Sequence, residues 1–395
     1  MKEEAVSRWA ASGAMSLTGR PGAPGLGPPG PLVAALDALA SPFPGLDPLV
    51  LLTERAALAG LTRQGATSCG GGTRLLRARD AWIAVSLPRA GDVEALPAWL
   101  EGAVPGDGAE PPWEAVAAAV AGRTGEALLE RAELLGLAVG VLPGRRPLRP
   151  AVVRSRLGDA PPRDDLRGLR VVDLTSLWAG PLCGDLLGRR GAEVVKVESP
   201  VRPDGTRRGS PAVFDLINGG KRSVALDFST REGVTALRAL LRSADVVLEA
   251  SRPRALEQAG VRAAEIVAEG GPSVWVSITG HGRERPMRVG FGDDAAVAGG
   301  LVVRDAAGPC FCADAIADPA TGLTAAHACL EALRSGGRWL LDIAMSAVAA
   351  SLAGPSLPVF PGLTCGPLRA RSPRAPSRPL GADTAAVLAA TAGAG

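Results

Sequence analysis

The sequence predicts an α/β protein, with a Rossmann-like domain on a mostly parallel sheet and a smaller α+β domain. The chain has 395 residues, more than one hydrophobic core usually covers, so two domains are expected. From residue 169 onward, short apolar runs alternate with helical segments, which is typical of a parallel sheet covered on both faces. Residues 49–143 instead combine helices with one strand pair, which favours a small mixed domain.

The first half of the chain divides at breaks rich in glycine and proline. Apolar spacing predicts helices at residues 32–39, 49–61, 113–120 and 127–137. Short strands are predicted at residues 73–77 and 81–87, and residues 137–143 are predicted as a closing strand or a loop. The segments that result are an N-terminal helical part (1–48), the small α+β domain (49–143) and a linker rich in Arg, Pro and Asp (144–165).

The second half carries the predicted Rossmann-like domain, residues 166–354. Strands are expected at residues 169–174, 193–197, 223–227, 245–249 and 273–279. Helices are expected at residues 230–243, 254–259, 319–334 and 342–353, followed by a Pro-rich tail with a terminal helix (355–395). Ligands of such sheets gather at the carboxyl ends of the strands, so the turns that follow the strands are where we expect a site.

Composition excludes several classes of function. The net charge is only +3 with dispersed basic residues, Tyr is absent and aromatic residues make up 3%, which argues against nucleic acid as a partner. Six cysteines without a paired CxxC spacing favour free thiols, since Cys310-x-Cys312 alone is only a weak metal signal. The N-terminal MKEEAVSRWA lacks the apolar core of a signal peptide, and the apolar stretch 339–353 is too short to cross a bilayer, so we expect a cytoplasmic protein without a membrane partner.

Two turns could meet a ligand. After the first strand, Ala179-Gly180-Pro181 opens a helix, whose free N–H groups can face an anion; a Gly-Pro turn that merely starts a helix explains the same residues. Lys221 and Arg222, in the sequence NGGKR, form a basic turn before the third strand; a solvated surface turn is the alternative.

Residues at two further positions could take part in catalysis, but each also has a purely structural explanation. Asp318 precedes Pro319 at the start of a predicted helix, where capping alone accounts for it. Gly70, Gly71 and Gly72 follow Ser68-Cys69 and fit a flexible entry to the hairpin.

In combination these segments resemble family III coenzyme A transferases, the CaiB/BaiF or formyl-CoA transferase-like group. The resemblance rests on the run from Gly168 through WAGPLCGDLLGRRGAEVVKVESP, the N-x-x-K-R-S pattern at 218–223, the SITG strand at 277–280 and DPATG at 318–322. It implies that Asp318 is the nucleophile and that Gly70–Gly72 form a lid whose N–H groups stabilise an oxyanion. It also implies coenzyme A contacts from two groups of residues: Leu177, Trp178 and Ala179 of the turn, and the basic residues Lys221, Arg222, Arg252 and Arg254.

The implied reaction moves CoA from an acyl-CoA donor to a carboxylic acid acceptor. The Asp carboxylate attacks the donor thioester to give a mixed anhydride, and the CoA thiolate then forms an aspartyl-CoA thioester. Neither a metal nor a permanently bound cofactor is needed, since CoA and acyl-CoA are substrates. By resemblance we expect a homodimer of interlocked chains, and the rearranged order of segments leaves a hetero-partner open.

The chain departs from the family in the order of its segments and in the residues expected to contact CoA. The small-domain-like segment precedes the Rossmann-like one, and residues 7–19 weakly resemble 294–306, as if a segment were present twice. The first copy has GLGPP at 25–29 where a nucleophile is expected, so one potential centre remains. Ser199 and Ala250-Ser251 replace usual CoA contacts, which is why Arg252 and Arg254, with Arg202, Arg207 and Arg208 nearby, are proposed as substitutes.

Two other functions stay open. An α-methylacyl-CoA racemase needs a His and an Asp to exchange the α-proton; His281 lies about ten residues before the expected place and His327 lies within a helix, while Asp293 could act as a second acid or base. A non-catalytic acyl-CoA-binding member of the family is the other alternative, since a fold does not by itself specify a function.

Overall fold

The computed structural model describes residues 2–102, 111–142, 149–251, 253–258 and 260–393. Its helices are α1 Lys2–Ala11, α2 Leu32–Ala40, α3 Pro48–Leu51, α4 Glu54–Ala59, α5 Ala90–Glu94, α6 Leu96–Leu100, α7 Trp113–Ala121, α8 Gly125–Leu135, α9 Ala179–Arg189, α10 Pro211–Asn218, α11 Arg231–Arg242, α12 Pro253–Gln258, α13 Ala263–Ala268, α14 Gly292–Ala298, α15 Ala317–Ser335, α16 Met345–Leu352 and α17 Thr384–Ala392. Its strands are β1 Thr73–Arg77, β2 Trp82–Ser86, β3 Ala138–Val141, β4 Val152–Gly158, β5 Arg170–Asp173, β6 Glu193–Glu198, β7 Arg222–Ala225, β8 Val246–Glu249, β9 Val274–Thr279, β10 Val303–Asp305, β11 Gly308–Cys310 and β12 Arg338–Ala344.

The predicted α/β class is confirmed by a sheet of seven strands among the described residues. Its order is β4-β12-β9-β8-β5-β6-β7, and every neighbouring pair is parallel except β12 with β4. Among the parallel strands, β5 comes first in the chain and lies inside the sheet. Later parallel strands lie on either side of it. The strand order therefore reverses between β5 and β8, and ligands of open α/β sheets bind beside such a switch, at the carboxyl ends of the strands.

Helices cover both faces of this sheet, which explains why its strands read as continuous apolar runs. On one face α9, α15 and α16 pack with the N-terminal helices α1 and α2 around residues such as Trp9, Leu182 and Leu323. On the other face α11, α13 and α17 enclose Val195, Leu237 and other side chains of the sheet. Within the described parts of the chain, no helix has both the length and the apolar character of a membrane span.

The smaller sheet, β1-β2-β3, is antiparallel and connects directly to the large domain. One of its faces packs on α6, α7 and α8, and the other packs on α14. The approach to α14 is close: a Cβ at Gly140 of β3 would lie 2.0 Å from the carbonyl oxygen of Asp294. The small sheet therefore holds α14, which precedes the segment that carries Asp318.

Two predicted elements differ from the structure. Val152–Gly158, inside the predicted linker, forms the edge strand β4; most of its side chains are exposed, and this polar composition is what made it look like a linker. Residues 338–344, predicted as helix from 342 onward, form strand β12 before α16 begins. A continuous apolar run is compatible with a buried strand or a helix, so its period cannot separate the two.

The extended segment after α16 joins distant parts of the chain. Arg371 donates to Glu54 of α4 (2.7 Å) and to Asp185 of α9 (2.9 Å), and both carboxylates are fully buried. Arg374 also pairs with Asp185 at 3.1 Å. This ion-pair network ties the N-terminal helices to the helix that begins at the predicted ligand turn.

Candidate active site

Asp318 lies in the first turn of α15 but does not cap it. The helix begins at Ala317, its N-cap position is Ile316, and no side chain caps the helix there. The capping role that the sequence predicted for Asp318 is therefore wrong. The carboxylate is at the second helical position, partly buried, and faces the preceding loop and α14.

The backbone around Asp318 is strained. Only four non-glycine residues in the described parts of the chain adopt positive φ, and three of them border this region: Ala313 (55°), Ala315 (42°) and Leu177 (71°). Side chains with a Cβ disfavour this conformation, and such strain persists where surrounding contacts enforce it, commonly at functional sites.

Gly292, the first residue of α14, touches the carboxylate of Asp318. A Cβ at Gly292 would lie 2.2 Å from Asp318 Oδ2, so only glycine fits beside it. Burial raises the pKa of Asp318 to about 7, assisted by the charges of Asp294 and Asp314 and opposed by Arg55 and by a hydrogen bond from the Gly292 N–H. Near neutral pH this carboxyl therefore exists both as an acid and as a nucleophilic carboxylate.

Arg55 of α4 is the cation of the site. Its Nε donates to Asp314 Oδ2 at 2.7 Å and its Nη2 donates to Asp314 Oδ1, while the guanidinium lies over the Trp178 ring at 5.1 Å. Burial lowers the pKa of Arg55, but the hydrogen bonds and charge of Asp314 outweigh this and raise it. The guanidinium thus stays charged beside Asp318.

The predicted glycine lid lies against this cation. A Cβ at Gly70 would lie 3.5 Å from Arg55 Nη2, and the Cys69 thiol donates to the Ala313 carbonyl at 3.6 Å. The Gly71 N–H is used within the turn, where it donates to Ser68 at 2.9 Å. The N–H groups of Gly70 and Gly72 have no partner among the described residues, so these two, and not Gly71, could stabilise an oxyanion.

The turn of Leu177, Trp178 and Ala179 reaches the same site from the sheet. Trp178 contacts Arg55, and Ala179 begins α9, whereas the Leu177 side chain is 42% exposed. The Leu177 N–H donates to Asp204 at 3.1 Å, and buried Lys196 donates to the other oxygen of Asp204 at 2.8 Å. This buried ion pair fixes the turn in its strained conformation.

Lys221 and Arg222, predicted to bind CoA, are both paired with carboxylates within the chain, and their role in binding CoA stays a prediction. Lys221 is buried, and its ammonium donates to Asp173 (2.8 Å), Pro181 (2.8 Å) and Asn218 (3.1 Å). All three of its N–H groups are therefore occupied. Arg222 pairs at 3.0 Å with Glu193, the first residue of β6, and thus lies toward the amino ends of the strands, away from the expected ligand edge.

The structure does not describe the side chains of the other two basic residues predicted to contact CoA. Arg252 lies outside the described residues, as does the side chain of Arg254 within α12. Both remain predictions from the sequence.

Two more carboxyls of α14 lie near Asp318. Burial raises the pKa of Asp293 to about 7, with further contributions from the charges of Asp314 and Asp318 and against the effect of Arg55. Burial also raises the pKa of Asp294 to about 7, although the Phe291 N–H and the Ser86 hydroxyl donate to it. Ser86 is the last residue of β2, so the small sheet contacts the acidic cluster directly.

Of the two histidines, His281 lies close to this cluster: a Cβ at Gly290 would lie 3.1 Å from His281 Nε2 and 3.4 Å from Asp294 Oδ2. His281 Nδ1 lies 3.1 Å from the Ser346 hydroxyl, and burial lowers the pKa of its ring well below the usual value. His327 Nδ1 lies 3.0 Å from the Leu39 carbonyl. Across the described ranges no group of three or more His, Cys, Asp or Glu side chains could hold a metal ion.

Arg55 contacts both Gly70 and Trp178, which the sequence singled out, and its charge acts on Asp318, so the structure adds a residue that the sequence did not indicate. The most important addition is Arg55, whose helix lies 259 residues before its partner Asp314. No local pattern indicates such a pairing. The spacing of Asp314 and Asp318, four apart before an apolar helix, is the one sequence signal that could have suggested a second acid.

Comparison with known proteins gives a family model, curated relatives and solved structures that match this chain. Residues 166–378 match the family model described as CoA-transferase family III. A succinate–glutarate CoA-transferase of Agrobacterium fabrum is 32% identical over 202 residues, which are 46% of this chain and 50% of that protein. An (R)-2-hydroxy-4-methylpentanoate CoA-transferase of Clostridioides difficile is 35% identical over 185 residues, 42% of this chain and 46% of that protein.

A crystal structure of a CaiB/BaiF family protein from Brucella suis is also similar, at 33% identity and a TM-score of 0.44, covering 47% of this chain and 55% of that one. This chain spans about half the length of the relatives it matches. The family match nevertheless takes in more than half of the chain, from the start of the parallel sheet past Asp318. The resemblance inferred from the sequence is therefore confirmed: the chain belongs to CoA-transferase family III.

Proposed function

We propose that this protein transfers CoA from an acyl-CoA donor to a carboxylic acid, with Asp318 as the nucleophile. The observation that carries the proposal is a carboxylate in the first turn of α15 that caps nothing, beside the N–H of Gly292 and the guanidinium of Arg55. A carboxylate that caps nothing, under the charge of a cation that itself borders a glycine loop with unpaired N–H groups, suits attack on a thioester carbonyl.

The proposed chemistry proceeds in two exchanges. An oxygen of Asp318 attacks the donor carbonyl carbon, and the C–S bond breaks to release CoA thiolate and leave a mixed anhydride. The thiolate attacks the Asp318 carbonyl carbon of the anhydride, which releases the donor acid and leaves aspartyl-CoA. An acceptor carboxylate repeats the two steps in reverse, so Asp318 ends as a free carboxylate and no net proton is consumed.

Coenzyme A is proposed to lie at the turn before α9. The exposed side chains of Leu177 and Val201 offer an apolar surface, and a Cβ at Gly205 would lie 3.5 Å from Leu177. Arg202 and Arg208 beside them are exposed and have no ion-pair partner among the described residues, so both are available for phosphates. We add these two arginines to Arg252 and Arg254 as candidates.

The relatives support the reaction class more than the substrate. Their names specify succinate and glutarate in one protein and (R)-2-hydroxy-4-methylpentanoate in the other, which are different acids. Transfer between acyl-CoA and a free acid is the shared part, and we extend that part to this chain. A homodimer and a cytoplasmic location remain proposals from the resemblance.

Covalent trapping tests the proposal. The protein is mixed with an acyl-CoA donor, quenched in acid, and its peptides are analysed by mass spectrometry for an adduct on Asp318. Asp318→Asn should abolish both the adduct and CoA transfer while retaining CoA binding. Asp305→Asn, which removes an ion-paired carboxylate outside the site, serves as the matched control.

The same samples separate the alternatives. A racemase would exchange the α-proton of the acyl-CoA with deuterium from the solvent without forming an adduct. A non-catalytic member would bind CoA but give neither an adduct nor exchange across a panel of donors. Either result would overturn the proposed transfer.

A further inference from the structure

His281 and Asp294 each have one buried polar atom that forms no hydrogen bond with the described residues. These atoms are Nε2 of the imidazole and Oδ2 of the carboxyl group. Asp294 is fully buried and His281 is only 6% exposed, so neither atom reaches bulk solvent. An unpaired buried polar atom costs stability, and native proteins keep few of them. We therefore expect each of the two atoms to have a partner.

Both atoms face one small space beside Gly290. A Cβ at Gly290 would lie 3.1 Å from His281 Nε2 and 3.4 Å from Asp294 Oδ2. It would also lie 3.1 Å from the Cα of Gly280, because the two ends of the loop 280–290 touch at this point. Glycine at position 290 therefore leaves room between the imidazole and the carboxyl group that a larger side chain would fill.

The remaining polar atoms of the two side chains are already held, which fixes the direction of the unpaired ones. His281 Nδ1 lies 3.1 Å from the hydroxyl of Ser346 in α16. Asp294 Oδ1 accepts from the Phe291 N–H at 2.9 Å and from the Ser86 hydroxyl at 2.8 Å. Neither side chain can turn away from the shared space without breaking these contacts.

The two unpaired atoms are chemically complementary. Burial, assisted by the charges of Arg288 and Arg285, lowers the pKa of His281 well below its usual value, so the ring is neutral and carries one N–H. When the Ser346 hydroxyl donates to Nδ1, that N–H is on Nε2 and faces the acceptor oxygen of Asp294. One water molecule can join such atoms where they are too far apart for a direct hydrogen bond.

Asp294 in turn holds the backbone that contacts the nucleophile. Its Oδ1 accepts from the N–H of Phe291, and the next N–H along the chain, that of Gly292, donates to Asp318. The fit at Gly292 is tight, since a Cβ there would lie 2.2 Å from Asp318 Oδ2. A displacement of Asp294 would therefore move the donor that orients the Asp318 carboxylate.

We propose that His281 is a positioning residue for Asp318. Its Nε2 donates to Asp294 Oδ2, directly or through one bound water, and this contact fixes the first turn of α14 with the Gly292 N–H. The inference rests on the proposed function, because it concerns Asp318 as the nucleophile. His281 acts through Asp294 and exchanges no proton with the substrate.

Two substitutions of His281 separate the roles of its two nitrogens. In His281→Gln the amide nitrogen can reach the place of Nε2, whereas the shorter amide of His281→Asn can replace only Nδ1. The rate of adduct formation on Asp318 should fall about ten- to hundredfold in His281→Asn, as expected when a reacting group is displaced by up to about 1 Å. His281→Gln should stay within about threefold of the wild type.

His327→Asn is the matched control, because His327 is the other histidine of the chain and its Nδ1 lies 3.0 Å from the Leu39 carbonyl. It should retain the wild-type rate. Equal losses in His281→Asn and His281→Gln would mean that His281 contributes only packing, and this would overturn the positioning role. An unchanged rate in His281→Asn would overturn it as well.

Nitrogen NMR tests the contact in the wild-type fold and needs no transfer activity. Protein that is isotope-labelled at the histidine nitrogens gives signals from two imidazole rings, which His327→Gln assigns. The proton of His281 should be on Nε2, and Asp294→Asn should shift the Nε2 signal. Asp293→Asn, which changes the neighbouring acid of α14, should leave this signal in place.

The NMR result also separates this inference from the proposed function. A proton on Nδ1, or an Nε2 signal that Asp294→Asn leaves unchanged, would refute the contact. The Val289 carbonyl, which also acts on the His281 ring, would then be the acceptor. If the expected NMR shifts appear but the wild type forms no adduct, the contact is supported and the proposed function alone is refuted.

Discussion

The pH dependence of Asp318 acylation is the most direct test of the site. Attack on the thioester needs the ionised carboxylate, and burial raises the pKa of Asp318 to about 7. An aspartate with its ordinary pKa, near 3.8, would be ionised throughout the neutral range. The two cases therefore predict different rate profiles.

The expected size of the rate change follows from the fraction of Asp318 that is ionised at each pH. With a pKa of about 7, about one tenth of Asp318 is ionised at pH 6 and about nine tenths at pH 8. The rate of adduct formation should thus rise about tenfold over these two pH units and then level off. Asp294→Asn should shift the profile to lower pH, because the charge of Asp294 raises the pKa of Asp318.

The assay is a single-turnover experiment in which protein in excess over acyl-CoA is quenched in acid at a series of times and pH values. Thioesters survive the quench, so the adduct is counted by intact mass. Binding of acyl-CoA is measured at each pH to separate affinity from reactivity. A rate that stays constant from pH 6 to pH 8 would refute the raised pKa, and a profile unmoved in Asp294→Asn would refute the assigned cause.

Three further outcomes follow from the packing. Gly292→Ala should cut the rate of adduct formation about a hundredfold or more, because its Cβ would lie 2.2 Å from Asp318 Oδ2. The control Gly91→Ala, whose Cβ would have no neighbour within 4 Å, should leave the rate unchanged. Equal effects of the two substitutions would contradict the contact. Arg371→Met should lower the free energy of unfolding by about 3–5 kcal/mol in urea titrations, since buried Glu54 loses its ion-pair partner and buried Asp185 loses one of its three, and a loss below about 1 kcal/mol would mean that the network is not coupled. Asp294 has a folded pKa of about 7, so between pH 5 and pH 7 its carboxyl is ionised in the unfolded chain but protonated in the folded protein, and the fold loses stability as pH rises. Asp294→Asn should therefore gain on the order of 2 kcal/mol over the wild type between pH 5 and pH 8, and a constant difference would refute this.

The parallel sheet was predictable because its strands are buried on both sides and therefore read as short apolar runs between helices. β12 was not, because WLLDIA continues directly into the apolar helix α16 and no period separates them. For a related reason, the sequence did not indicate that Lys221 is buried and donates to Asp173, Pro181 and Asn218, because a sequence gives no measure of that environment. Patterns along the chain predict elements, while the partners of a charge depend on tertiary packing.

The candidate site depends on both halves of the chain, and this explains why the family match alone does not describe it. Asp318 and Trp178 lie within residues 166–378, but Arg55, Cys69 and Gly70 precede them. Three contacts join the halves at the nucleophile: Arg55 with Asp314, the Cys69 thiol with the Ala313 carbonyl, and Ser86 with Asp294. Each of the three ends on α14 or on the strained loop before α15, so the N-terminal half holds the backbone that positions the carboxylate. The matched segment supplies the proposed nucleophile, whereas the cation, the lid and the constraint on the loop come from residues outside it.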